Sequence, residues 1–123
     1  VLAGKRVLIV EDMALVAQEL AEGLQEAGLA IVGPTARLEQ GIRMALAETP
    51  DAAVLDVNLD GEFVWPLAAL LRQRKVPTVL VTGYDGHSLP AAMEDMPRLP
   101  KPVDLDALKA WLSENLKAAA PGS

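Results

Sequence analysis

Cysteine is absent from the 123-residue chain, so the protein has no disulfide, no thiolate metal site and no cysteine nucleophile. This fits a reducing compartment, and we expect a cytoplasmic protein. An excess of positive charge is also lacking, because the formal net charge is -6. Non-specific binding to nucleic acid or to an anionic membrane is therefore disfavoured. No apolar run approaches the roughly 18 residues of a membrane-spanning helix, and no signal peptide is visible.

The residues that are present alternate between short apolar runs and helical patterns. The apolar runs end in polar or turn residues and predict five strands, at residues 6–10, 30–32, 52–56, 76–81 and 98–100. Helical spacing predicts helices at residues 13–27, from Thr35 onward, from Pro66 to about residue 74, and from Asp104 through Leu116. The weak pattern of residues 85–97 predicts one short, poorly anchored helix.

Strands that alternate with helices indicate an α/β fold with helices on both faces of a parallel sheet. For five strands, the simplest arrangement is a single-domain, flavodoxin-like (βα)5 doubly wound sheet with strand order 2-1-3-4-5 and a shortened fourth helix region. We expect residues 1–4 to be an N-terminal extension or linker, residues 5–117 the domain and residues 118–123 a C-terminal tail.

Several side-chain positions follow from the same patterns. Thr35 is predicted to cap the second helix, and Asp104 the last one. In the first helix the apolar residues at helical spacing include Leu15, and in the second helix Leu46 is among those predicted to face inward.

Polar residues follow four of the predicted strands at the point where each one ends. Glu11 and Asp12 follow the first strand, Asp56 ends the third, Thr82 ends the fourth and Lys101 follows the fifth. The carboxyl ends of parallel strands share one edge of a sheet, where ligands bind. A single acid at such an edge is more often a solvated or capping residue, but five polar residues on the proper strand ends indicate a functional site.

The chemistry of this cluster can be argued from charge. Three carboxylates and one lysine give the cluster a net charge of about -2. Crowded carboxylates raise one another's pKa unless a cation lies between them. An all-oxygen site suits Mg²⁺, which binds one or two carboxylates and keeps water for a phosphate. Asp56 would then be the nucleophile that accepts a phosphoryl group. Lys101 would neutralise charge on that group, and the Thr82 hydroxyl would hydrogen-bond one of its oxygens.

These residues resemble a known family. The segments 7–12 (VLIVED) and 81–83 (VTG), with Asp56 after an apolar strand and Lys101 before Pro102, resemble the receiver domain of bacterial two-component response regulators. The resemblance covers nearly the whole chain. It implies a signalling domain that is not an enzyme beyond its own phosphorylation and dephosphorylation. Its expected partner is a sensor histidine kinase or phosphotransfer protein, and its expected output is a switched protein-interaction surface.

The resemblance also assigns roles to individual residues. Asp56 is the expected phosphoacceptor, Asp12 a direct Mg²⁺ ligand, Glu11 a ligand through water and Asn58 a ligand through its backbone carbonyl. Thr82 matches the switch hydroxyl of the family. The peptide bond before Pro102 is expected to be cis.

Two features depart from the usual receiver pattern. Arg98 stands three residues before Lys101, where receivers usually carry an aromatic switch, and Lys101 follows Thr82 by only 19 positions. Residues 58–62 and 81–84 instead resemble stand-alone receivers that pair with HWE-type sensor kinases. In that subgroup Tyr84 would take over the switch role. The compressed region leaves, at most, a weak homodimer as the expected assembly.

Two alternatives stay open from the sequence. The chain ends soon after its last helix, which favours a free-standing switch, but it could equally be the C-terminal receiver of a hybrid histidine kinase. A flavin or nucleotide carrier on the same topology is the remote alternative. It lacks support because the sequence has no glycine-rich phosphate loop and because Glu11 and Asp12 would repel a phosphate without metal.

Overall fold

The computed structural model describes residues 3–83 and 89–119, with side chains described as far as Leu116. Its strands are β1 (Arg6–Val10), β2 (Ala30–Thr35), β3 (Ala52–Asp56), β4 (Asn58–Leu59), β5 (Glu62–Phe63), β6 (Thr78–Thr82) and β7 (Arg98–Pro100). Its helices are α1 (Ala14–Glu26), α2 (Leu38–Glu48), α3 (Trp65–Gln73) and α4 (Leu105–Ala119), with one 3₁₀ turn at Ala91–Met93.

Five of the strands form one parallel sheet in the order β2-β1-β3-β6-β7. This confirms the predicted α/β, flavodoxin-like arrangement. The central strands β1 and β3 are apolar on both faces because helices cover both faces of the sheet. Successive side chains along a strand point to opposite faces, so they alternate between the two hydrophobic cores. Leu8 packs with α2, α3 and residues 89–96, whereas Ile9 packs with α1 and α4. Burying each such side chain contributes roughly 1.5–3 kcal/mol, which holds the strand ends in fixed positions.

The predicted beginnings of the last two helices are confirmed. Pro66 lies in the first turn of α3, where its missing N–H is not needed. Asp104 caps α4, since its Oδ1 accepts hydrogen bonds from the Asp106 and Ala107 backbone N–H groups at 2.9 and 3.3 Å. Within the described residues, no helix is both long and apolar enough to cross a membrane.

The prediction that Thr35 caps α2 is wrong. β2 continues through the cis Gly33-Pro34 peptide to Thr35, whose carbonyl accepts a hydrogen bond from the Glu11 N–H at 2.9 Å. The helix therefore begins only at Leu38. The Thr35 hydroxyl is buried and spans the intervening turn, where it accepts from the Arg37 N–H and donates to Gln40 Oε1.

The predicted inward placement of Leu46 is also wrong, and Leu15 lies off the buried face of its helix. Leu15 and Leu46 are 76% and 47% exposed, although both stand among apolar residues at helical spacing. In α1 the core face is made instead by Ala17, Leu20 and Leu24, which lie further along the helix. The apolar face that the sequence gives to each of these helices is wider than the face that the sheet buries.

The region between β6 and β7 is shortened, as predicted, and its described part, residues 89–97, is not poorly anchored. In residues 89–97 it forms a single 3₁₀ turn, with Leu89, Met93 and Met96 buried in the core. Arg72 of α3 ties this turn down by donating to the Ala92 carbonyl at 2.6 Å and by an ion pair with Asp95. Tyr84, the predicted second switch residue, lies outside the described residues.

Candidate functional site

The five predicted strand-end residues meet at the carboxyl edge of the sheet. β1 and β3 are neighbours with Val10 opposite Leu55, so Glu11 and Asp56 emerge side by side. β6 lies next to β3, and its Thr82 carbonyl accepts a hydrogen bond from the Lys101 N–H at 2.9 Å. Parallel pairing therefore brings together side chains that are up to 90 positions apart in the sequence (Glu11 to Lys101).

An open pocket of about 420 Å³ lies over this edge. The predicted residues that line it are Asp12, Asp56, Asn58, Thr82 and Lys101. Glu11 is buried beside it, with only 3% of the residue exposed, and Asp56 forms part of the pocket with 5% exposed. The two acids are thus almost completely removed from bulk water, while Asp12 is half-buried.

Ion pairs and backbone hydrogen bonds fix the two buried acids. The Lys101 Nζ atom lies 2.9 Å from Asp56 Oδ2 and 3.5 Å from Glu11 Oε1. The remaining oxygens accept backbone hydrogen bonds, from the Met13 N–H to Glu11 Oε2 at 3.0 Å and from the Asn58 N–H to Asp56 Oδ1 at 3.3 Å. Such contacts hold the carboxylates in one arrangement before any ligand enters.

Burial shifts the pKa values of both acids upward, because it removes water from their charged forms. It raises the pKa of Glu11 to about 7, opposed by the hydrogen bond from the Met13 N–H and increased by the negative charge of Asp56. Burial likewise raises the pKa of Asp56, against the hydrogen bond from Lys101. Burial disfavours the charged Lys101 ammonium, yet the hydrogen bond to Asp56 and the surrounding acids outweigh this and raise its pKa.

These observations show which residues could hold a metal ion. Carboxylate oxygens of Glu11, Asp12 and Asp56 all lie within 4.8 Å of one another. The donor set is entirely oxygen, which suits a hard divalent cation. A single lysine cannot balance three clustered carboxylates, so the cluster keeps a net negative charge that a cation would offset. The residues present therefore fit a divalent cation.

A short hairpin lies beside the pocket, and its two strands were not predicted. β4 and β5 pair antiparallel around Asp60-Gly61, which have positive φ angles of 54° and 92°. The Asn58 side chain accepts a hydrogen bond from the Gly61 N–H at 2.7 Å and so faces the turn. Asp-Gly is a recognised hairpin signal, but strands of two residues are too short for an alternating pattern to reveal.

The hairpin also brings an aromatic residue to the pocket that was not predicted to line it. Phe63 on β5 lines the pocket and stacks on Trp65, with ring centroids 6.0 Å apart and planes 2° from parallel. At the far side of the site, the Lys101-Pro102 peptide is cis, as the resemblance implied. The aromatic position of most receivers is occupied by Arg98, which is exposed and donates to the Glu94 carbonyl at 3.4 Å.

The raised pKa of Glu11 predicts how the stability of the metal-free protein depends on pH. Its folded-state pKa is about 7 against an ordinary value of 4.5, so between these values the folded state binds more protons than the unfolded state. Stability should therefore fall as pH rises from about 4.5 to 7, by at most about 3 kcal/mol from this residue. Urea unfolding in EDTA at pH 5 and pH 8 measures the difference.

A pair of variants tests whether Glu11 causes that pH dependence of stability. Glu11→Gln should reduce the dependence to the part contributed by Asp56, whose pKa is also raised by burial. Glu19→Gln, at an exposed position of α1, should retain the full dependence. Equal stability of the parent protein at both pH values would contradict the assigned shift.

Comparison with known families identifies the architecture. The model of the response regulator receiver domain family matches residues 7–113. The chain belongs to this family. Receivers among its relatives include the transcriptional regulatory protein PdtaR of Mycobacterium tuberculosis, 32% identical over 110 residues that cover 85% of this chain and 53% of PdtaR. The sensory transduction protein LytT of Bacillus subtilis is 32% identical over 116 residues, which cover 91% of this chain and 48% of LytT.

Solved receiver structures agree with this assignment. The solution structure of SdrG from Sphingomonas melonis Fr1 superposes with a TM-score of 0.79 at 33% identity, covering 92% of this receiver and 97% of SdrG. The response regulator PhyR from Brucella abortus shares the fold, with a TM-score of 0.80 at 21% identity over 98% of this receiver and 51% of PhyR. The present receiver spans about half the length of its curated relatives.

Proposed function

We propose that this receiver accepts a phosphoryl group on Asp56 from a phosphohistidine and thereby switches a protein-interaction surface. The donor is a sensor histidine kinase or a phosphotransfer protein, as is usual for receiver domains. The observation that carries the proposal is the position of Asp56. It is buried at the end of β3, hydrogen-bonded to Lys101 and within a cluster of two further acids, yet it lines an open pocket.

The metal that fits this chemistry is Mg²⁺. Asp12 and Asp56 would hold it directly, Glu11 through water and Asn58 through its backbone carbonyl. When bound, it supplies positive charge that offsets the carboxylates and the oxygens of the incoming group.

The chain's own residues perform the remaining tasks. An Asp56 carboxylate oxygen is the nucleophile. The Lys101 ammonium, 2.9 Å from Asp56 Oδ2, is placed to stabilise negative charge on the transferred group, and the Thr82 hydroxyl donates a hydrogen bond to one of its oxygens. Since Thr82 and Lys101 flank the segment between β6 and β7, their response to the new charge would carry the switch into that segment.

Tyr84 is our proposed second switch residue. It follows Thr82 by two positions, and Arg98 occupies the place of the usual aromatic switch. The proposed catalysis is confined to the receiver's own phosphorylation and dephosphorylation. The alternative context, a C-terminal receiver of a hybrid histidine kinase, uses the same site.

Mg²⁺ binding can be followed by the fluorescence of Trp65, which stacks on the pocket residue Phe63. Asp12→Asn should weaken Mg²⁺ binding at least about tenfold, because it removes a proposed ligand. Titration of the intensity with MgCl2 gives the affinity. In the parent protein, Trp65→Phe should remove most of the signal and Trp111→Phe, on α4, should leave it. Equal Mg²⁺ affinity of the Asp12→Asn variant would exclude Asp12 from the metal site.

A further inference from the structure

Two exposed apolar side chains stand at the rim of a pocket whose other side chains are mainly charged or polar. Met13, directly after β1, is 56% exposed and Phe63 on β5 is 43% exposed, and both line the pocket that contains Asp56. Metal ions and phosphoryl groups are held by charged and polar groups, so neither ligand accounts for a phenyl ring here. The rim therefore suits a third chemical group that enters together with the phosphoryl group.

The Phe63 ring is held in position from two directions. Phe63 pairs with Asn58 across the hairpin, and the Asn58 side chain accepts from the Gly61 N–H to fix the turn between them. The Phe63 ring also stacks on Trp65, which is half-buried and packs against the core. One side of the ring is thus supported by Trp65, while the exposed remainder stays available to a ligand.

We propose that Phe63 determines donor specificity by contacting the imidazole ring of the phosphorylated histidine, with Met13 as a second apolar contact. This rests on the proposed function of Asp56 as phosphoacceptor. The donor's leaving group is a flat aromatic ring that must lie just outside the phosphoryl group, where this rim stands. Aromatic rings stack or pack edge to face, and a protonated imidazole gains further attraction from the face of a phenyl ring.

Contact with the protonated ring also matches the chemistry of transfer. An Asp56 oxygen forms a bond to phosphorus while the phosphorus–nitrogen bond breaks. The electron pair of the broken bond stays on the departing imidazole nitrogen. If the ring enters protonated on its other nitrogen, it departs as neutral imidazole and no further proton is needed. A phenyl ring beside it favours the protonated, reactive form of the donor.

Two small phosphoryl donors distinguish a contact of Phe63 with the imidazole leaving group from a general effect of Phe63 on phosphorylation. N-phosphoimidazole carries the aromatic leaving group and acetyl phosphate does not, and both are assayed with the full chain at the same Mg²⁺ concentration. For each protein the measured quantity is the rate constant with N-phosphoimidazole divided by that with acetyl phosphate. Phe63→Ala should lower this ratio roughly 3- to 10-fold.

Further variants distinguish the ring from mere bulk. Phe63→Leu keeps an apolar side chain on the hairpin but removes the ring, so its ratio should also fall, whereas Phe63→Tyr should retain the parent ratio. Leu46→Ala is the matched control, because Leu46 is an exposed apolar residue on α2 and does not line the pocket. Its ratio should equal that of the parent.

The outcomes are distinguishable. A ratio unaltered in both Phe63→Ala and Phe63→Leu, or an equal slowing with the two donors, would overturn the role of Phe63 and leave the phosphoacceptor proposal standing. No phosphorylation of the parent protein by either donor would contradict the proposed function itself and this inference with it.

Discussion

Replacing Asp56 with Asn is expected to abolish phosphorylation, so that no acid-labile label appears with acetyl phosphate or with a cognate kinase. The amide nitrogen and oxygen of Asn cannot form the acyl phosphate that a carboxylate forms. The substitution conserves shape at a residue that is 5% exposed, and it removes one of three crowded negative charges. The variant should therefore remain folded, which circular dichroism can check, and the loss of label would then report chemistry.

A second aspartate provides the control for that experiment. Asp106 lies exposed in the first turn of α4, and Asp106→Asn should be labelled like the parent protein. Persistent label in Asp56→Asn, with normal label in Asp106→Asn, would move the phosphoacceptor to another residue.

Replacing Lys101 with Met is expected to slow phosphorylation by acetyl phosphate about 100-fold or more, the usual effect of removing a donor that stabilises developing negative charge. Among the described residues, Lys101 is the only one whose side-chain cation lies within 4.0 Å of a carboxylate oxygen of Glu11 or Asp56. Its loss should also raise the pKa of Asp56 further, because the hydrogen bond from Lys101 is the main influence that lowers it. Initial rates of labelling at saturating Mg²⁺ measure the effect.

Two companion variants test whether the position or only the charge of Lys101 matters. Lys101→Arg retains the charge but not the compact ammonium group, and it should recover only part of the rate. Lys109→Met removes a lysine from α4 that does not line the pocket, and its rate should equal that of the parent. A Lys101→Met variant as fast as Lys109→Met would exclude Lys101 from the reaction.

The sequence predicted that these residues converge because parallel strands order their ends by topology. Once Glu11, Asp56 and Lys101 are placed at the carboxyl ends of parallel strands of known order, their convergence follows without side-chain detail. The structure shows the ion pairs and the shared pocket that this reasoning leads one to expect. The roles that we propose for the residues come from their chemistry and from the family.

The features that were predicted wrongly or not at all depend on short-range competition between contacts. Thr35 has the side chain of a helix cap, but its backbone joins the sheet through Glu11, and this contact extends β2. Leu15 fits a helical stripe in sequence, yet the sheet covers only the adjoining face of α1. Phe63 reaches the pocket only because the hairpin of β4 and β5 turns the chain back. Each of these strands has two residues, which is too few for a periodic sequence pattern.

The central claim is that a phosphoryl group moves onto the side chain of Asp56 in a site that requires Mg²⁺. Borohydride reduction after incubation with acetyl phosphate converts an acyl phosphate into homoserine, which peptide mass spectrometry can locate. The account predicts homoserine at position 56 when Mg²⁺ is present and none when EDTA replaces it. Homoserine at a different acid, or equal conversion of Asp56 in EDTA, would contradict the account.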